Sequence, residues 1–174
     1  LQSAGDLLGG AQALTEAISL MELSVSSHPD TKILAFLPMA YMNQAIILGE
    51  MGRHKDSIVV LDRGIARANA LAAERWWWHF DDLASLYFNK ANRLRSLSEF
   101  QSAVENYDKA LQTIVDFEKL LPLLKDEFRI TKEEKFRHLL ALIHTNKASV
   151  LRKQGDLLGA VRLYDIAIGI RERQ

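Results

Sequence analysis

Three asparagines stand at matched places in the sequence: Met42-Asn43-Gln44-Ala45, Phe88-Asn89-Lys90-Ala91 and Thr145-Asn146-Lys147-Ala148. Each lies two residues before a small alanine. Asparagine is a poor helix former, so its return at one register position needs a reason. Its amide both donates and accepts hydrogen bonds. A row of such amides suits the backbone of an extended peptide, whatever that peptide's sequence. The alternative is structural, with each amide tied to a neighbouring helix. Asn92, Arg95, Arg152 and Lys153 follow three to seven residues later. An arginine grips a carboxylate through two parallel hydrogen bonds, so these groups would read an acidic segment or the free carboxylate at a protein's C-terminus. As solvated charges at helix ends they would equally suit the helix dipole. Met42 and Phe88, with Met39, Ile46, Ser85, Thr145 and Ser149 nearby, complete a surface that is apolar toward the N-terminus and basic toward the C-terminus.

Other chemistry-bearing residues do not assemble a reaction centre. The sequence has no cysteine, which removes thiolate nucleophiles, disulfides and cysteine-based zinc sites. His28, His54, His79, His138 and His144 lack the spacing of a metal motif. His144 takes the place that Tyr41 and Tyr87 take elsewhere, so it reads as a packed side chain. Gly9-Gly10 lacks the Lys-Ser/Thr of a phosphate loop. Asp81-Asp82 and Glu133-Glu134 are expected in first helical turns, where carboxylates complement the dipole. Trp76, Trp77 and Trp78 cannot share one helical face, because successive residues point about 100° apart. They read as packing groups with one exposed. The expectation is no catalytic residue, no metal and no cofactor.

The elements that position these residues are helical. Apolar residues recur at three and four, never in strand-like alternation. Leu37, Tyr41, Ala45 and Leu48 form one stripe; Leu83, Tyr87, Ala91 and Leu94 repeat it, as do Leu140, His144, Ala148 and Leu151. After each comes a turn residue (Gly52, Ser98 or Gly155) and a second stripe. The second stripes read Ser57-Ile58, Leu61, Gly64-Ile65; then Ala103-Val104, Tyr107, Ala110-Leu111; then Ala160-Val161, Tyr164, Ala167-Ile168. Residues 1–9 match residues 151–159 at six of nine positions, which places another turn at Gly5.

This two-helix signature resembles the tetratricopeptide repeat family, most closely from Tyr87 to Leu111. The resemblance implies an all-α fold of antiparallel helix pairs, stacked as a right-handed superhelical solenoid. It also implies a concave groove lined by the first helix of each pair, with Asn43, Asn89, Asn92 and Asn146 at its peptide-binding face. Lys90, Lys147 and Gln44 fall where many family members place an apolar core residue, and are expected to snorkel along a wall. The turns lie 47, 46 and 57 residues apart, against about 34 in the family, so longer helices are expected. Pro122 should end a helix, and Thr131-Lys132-Glu133-Glu134 reads as a capping box that starts the next. The resulting map is one array over 1–174: a partial repeat at 1–26 with a helix over 6–26, then repeats at 31–74, 76–121 and 131–173, with a connector at 122–130. Both ends cut into the pattern, so the sequence is expected to be a piece of a longer array with ends prone to self-association.

Composition bounds the partners. Lysine plus arginine equals aspartate plus glutamate, 22 each, without the basic excess of a nucleic-acid binder. No apolar run is expected to reach membrane-spanning length, and residues 1–6 do not read as a signal peptide. Absence of cysteine favours a reducing compartment, the cytoplasm. The function expected is a non-enzymatic module binding a protein or peptide in its groove. The rival reading is a structural or regulatory spacer with intramolecular contacts inside a larger signalling protein or enzyme.

Overall fold

A computed structural model describes residues 2–27, 31–73, 80–120, 122 and 126–172. Among them are seven helices and no strand: α1 (Gln2–Ser27), α2 (Thr31–Glu50), α3 (His54–Ala73), α4 (Phe80–Ser96), α5 (Phe100–Glu118), α6 (Asp126–Gln154) and α7 (Leu157–Glu172). α2 packs on α3, α4 on α5 and α6 on α7, and each pair packs on the next. The first helices also touch one another, α2 on α4 and α4 on α6. The fold is all-α and repeat-like, as the stripes require.

Each pair turns at a residue of positive φ: Gly52 at 75°, Ser98 at 62° and Gly155 at 90°. The closures are alike. Arg53, Glu99 and Asp156 donate their backbone N–H to Leu48, Leu94 and Leu151 at 2.8, 2.9 and 3.0 Å. Gly52, Ser98 and Gly155 donate theirs to Gly49, Arg95 and Arg152. This is the Schellman arrangement, which satisfies the last carbonyls of a helix through one left-handed residue. Glycine takes that conformation freely, whereas Ser98 carries a Cβ penalty. Ser98→Gly should therefore stabilise the protein by about 0.5–1 kcal/mol, read as a higher denaturation midpoint in urea. A lower midpoint would mean that the serine side chain makes a compensating contact.

Two clusters form the core. One joins α2, α3 and the start of α4 through Leu37, Tyr41, Ala45, Leu61, Ile65, Leu83 and Leu86. The other joins α4, α5 and α6 through Ala91, Leu94, Tyr107, Ile114, Phe117, Phe136 and Ile143. Small residues on the second helices set the approach. A Cβ at Gly64 would meet Leu86 at 2.9 Å and Tyr41 Cβ at 3.1 Å, so α3 sits too close to α2 and α4 for a larger residue. Buried Ser57 donates its hydroxyl to the Ala45 carbonyl at 2.6 Å. Tyr41 donates its hydroxyl to Glu22 of α1. Burial, with that hydrogen bond and the Glu22 charge, pushes the Tyr41 phenol up to about 12.

The structure departs from several expectations. Gly5 lies inside α1 and makes no turn. α6 begins at Asp126 and runs through Thr131, so the Thr-x-x-Glu pattern is helix interior and not a cap. Glu133 and Glu134 accordingly fall beyond the first turn, while Asp81 and Asp82 do lie in the first turn of α4. The early part of α6 is held from across the joint by α4, whose Asp81 meets Lys132 and Lys135. α5 ends at Glu118, before Pro122. The segment Ile33–Glu50 is, by length and composition alone, long and apolar enough to cross a membrane, with a mean hydropathy of 1.3. Part of it is covered by protein: α2 is packed by α1, α3 and α4, while Phe36 and Met39 stay exposed. Trp76, Trp77, Trp78 and His79 lie outside the described residues.

Candidate peptide-binding face

The asparagines sit on the first helices, as their register requires, but their surroundings differ. Asn43 on α2 is exposed. Asn89 on α4 is half-buried and donates from Nδ2 to the Ser85 carbonyl one turn back, at 2.9 Å. Asn146 on α6 reaches across to α4, where its Nδ2 donates to Asn92 Oδ1 at 2.9 Å. The same Asn92 oxygen accepts the Tyr107 hydroxyl of α5 at 2.7 Å. Asn92 is thus a three-helix junction, and its acceptor oxygen is occupied on both sides. Tyr107 is fully buried, and burial pushes its phenol up to about 12, so it stays a donor through the physiological range.

Part of each amide remains available. Asn43 makes no hydrogen bond with a described residue; Asn89 and Asn146 keep their oxygens, and Asn92 keeps its Nδ2 hydrogens. Around them Met39 is exposed, and Met42 packs half-buried against the α2–α3 core. Phe88 lies 6.1 Å from the Tyr107 ring, tilted at 50°. Arg95 is half-buried, and its charge acts on Tyr107, so it lies beside the junction. Arg152 and Lys153 are exposed in the last turn of α6. Lys153 places its ammonium over the Phe100 ring at 5.5 Å, a cation–π contact that draws it toward the start of α5.

The residues one place after the asparagines each reach a neighbouring helix. Gln44 donates to Thr15 of α1 at 2.8 Å. Lys90 pairs with Asp62 of α3 at 2.5 Å, and Lys147 with Asp108 of α5. Their stems are covered, with side-chain exposures of 21% and 16%. The snorkel ends in an ion pair on the preceding second helix. His144 packs half-buried with no partner at Nδ1. Burial, and then the Lys147 charge, pull its pKa down against the smaller opposing effect of Asp108. Among the described residues no group of three or more histidine, aspartate or glutamate side chains lies close enough to hold a metal ion.

Two clefts lie away from these asparagines. A cleft of about 740 Å³ opens between α1 and α3, with Leu8, Thr15, Gln44, Val59 and Arg63 in its lining. One of about 350 Å³ lies between α3 and α5 at Asn69, Tyr87 and Lys109. Neither is lined by Asn43, Asn89, Asn92 or Asn146.

These features define an all-α helical-repeat protein. No family model matches the sequence, and no curated protein matches it. Its fold is similar to the solved structure of BtubC (BKLC) from P. vanneervenii, with a TM-score of 0.67 at 15% identity over 96% of this chain. This chain spans 57% of the length of that structure. A second structure, MamA 41-end from Desulfovibrio magneticus RS-1, matches 92% of this chain and 96% of its own at 11% identity, but with a TM-score of only 0.35.

Proposed function

We propose that the protein is an interaction module that binds an extended peptide along its first helices, without catalysing a reaction on it. The observation that carries this reading is the spare hydrogen-bonding capacity of Asn43, Asn89 and Asn146 at one register of contacting helices, with Asn92 one turn beyond Asn89. Paired donors and acceptors of this kind match a peptide backbone. Met42 and Phe88 offer apolar contact beside them. Arg95 and Arg152, with Lys153 at the rim, would take an acidic group or a C-terminal carboxylate. The equal charge count argues against nucleic acid as the ligand, and the absence of cysteine fits a cytoplasmic setting.

The spacer reading has one observation in its favour. The Asn146–Asn92–Tyr107 junction ties three helices together and spends amide capacity inside the molecule. A peptide array separates the two readings. The triple variant Asn43→Ala, Asn89→Ala, Asn146→Ala, checked for parental helicity and melting temperature, should lose binding by about tenfold or more, since each lost hydrogen bond contributes about 0.5–1.5 kcal/mol. Binding that ignores all three changes, or an array with no binder, would leave the spacer reading standing.

A further inference from the structure

We propose that His144 makes the joint between α5 and α6 sensitive to acid: when its imidazole takes up a proton, α6 loosens its hold on α5. Tyr41 and Tyr87 fill the same slot in the first-helix stripes of the two preceding pairs. Histidine is the side chain that changes charge between about pH 5 and 8, so this joint alone carries such a group in that slot. The tyrosines have polar company. Tyr41 donates its hydroxyl to Glu22 of α1, 19 residues before it. Tyr87 shares a cleft with Asn69 of α3, 18 residues before it, and Lys109 stands 5.9 Å from its ring centroid. The turn interval that contains His144 is longer, 57 residues against 46, a difference of 11. The residue in register with Glu22 and Asn69 is therefore Val115 of α5, 29 residues before His144. A valine side chain offers no hydrogen bond, and His144 Nδ1 is buried without a partner.

Protonation changes two things there. A charged imidazole carries a hydrogen on both ring nitrogens, so Nδ1 becomes a buried donor with no acceptor, which is costly. It also sets a second positive charge one helical turn before Lys147, and like charges at that spacing repel. The charges that act on His144 are Lys147 on its own helix and, more weakly, Asp108 on α5. Among the described residues none on α4 or α7, the other helices packed on α6, acts on it. Asp108 attracts the new charge, but its carboxylate is already paired with Lys147. That pair is the polar link between α5 and α6, and it lies in the field of the imidazolium. Asn146, two residues beyond His144, donates to Asn92 of α4, so a shift of α6 also reaches the three-helix junction. Burial, and then Lys147, hold the native pKa of His144 below the ordinary 6.5. The loosened state therefore takes the proton more readily. The joint has its full strength above that value and weakens as pH falls below it.

Amide hydrogen exchange of the full chain, read over α5 and α6, tests this. His144→Gln keeps a polar side chain without the charge change, and His144→Tyr restores the side chain of the two sister slots. Parent and variant are compared at the same pH, so intrinsic exchange rates and the other histidines cancel. The ratio of parent to variant exchange should rise by at least about threefold between about pH 7.5 and 5.5, the factor given by a pKa difference of half a unit. A variant that loosens α6 through packing shifts the ratio equally at both pH values, so its change between them remains the measure. An NMR titration of the imidazole in the parent should place its native pKa below 6.5. A ratio that does not change with pH, in either variant, would overturn the proposal. An imidazole that titrates at or above 6.5 in the folded protein would overturn it too, because protonation would then favour the closed joint.

Discussion

Asp81→Ala should destabilise the protein by about 3 kcal/mol at neutral pH, a loss typical of breaking a buried ion pair. For a protein of this size that lowers the melting temperature by about 6–12 °C. Asp81 is 4% exposed in the first turn of α4. It accepts from Lys132 at 2.8 Å and from Lys135 at 2.6 Å, both on α6. Burial pushes its carboxyl up, but the two hydrogen bonds and the two positive charges outweigh burial and hold its pKa below the ordinary value of 3.8. The sign of the pH dependence follows. A depressed native pKa means that the unfolded state binds the proton more readily. The stabilisation is complete above the ordinary carboxyl range and disappears as pH falls through the native value. The parent and Asp81→Ala should therefore differ clearly in urea unfolding at pH 7, and the difference should shrink toward pH 3. A difference of equal size at both pH values would show that the residue acts through packing and not through charge.

Phe117→Ala should cost about 3–5 kcal/mol, the usual range for a fully buried phenylalanine. Phe117 has no exposed surface and lies 4.9 Å from Phe136, with the rings tilted by 52°. This pair packs α5 onto α6. Both rings are almost fully buried, so the cavity should be felt in full. Phe136→Ala should cost a similar amount, and the double variant less than the sum, because the two rings share one void. Guanidinium unfolding of the three variants measures this. Strict additivity would mean that the rings are stabilised by separate neighbours.

Which features the sequence revealed depended on whether one residue type sufficed. Gly52 and Gly155 announce their turns because glycine takes the left-handed conformation without strain. Ser98 does not, and only its register beside them betrays the same backbone. Gly5 misled for the opposite reason: glycine permits the left-handed conformation without imposing it, and Gly5 is helical. The capping pattern at Thr131 failed likewise, since Thr-x-x-Glu also occurs inside helices, and α6 already begins at Asp126. The asparagine positions were legible, but their bonding was not. Whether an amide faces solvent or a neighbouring helix depends on interhelix distance, which periodicity does not carry. The Asp62–Lys90 and Asp108–Lys147 links do leave a trace in the sequence. The two aspartates are 46 residues apart, as Gly52 and Ser98 are, and the two lysines are 57 apart, as Ser98 and Gly155 are. Charges matched between second and first helices carry that signal, whereas the stripes within one helix do not.

The asymmetry between the two kinds of helix has a mechanical meaning. The first helices touch from pair to pair, whereas open clefts separate α1 from α3 and α3 from α5. One flank of the array is therefore closely braced and the other has room to move. Such a body bends more easily than it stretches, hinging about the braced flank while the gaps on the far side narrow or widen. A tensile force along the stack would be borne first by the Asp–Lys links and the Asn92 junction. The array would yield as a spring over small extensions, before any single helix unwinds.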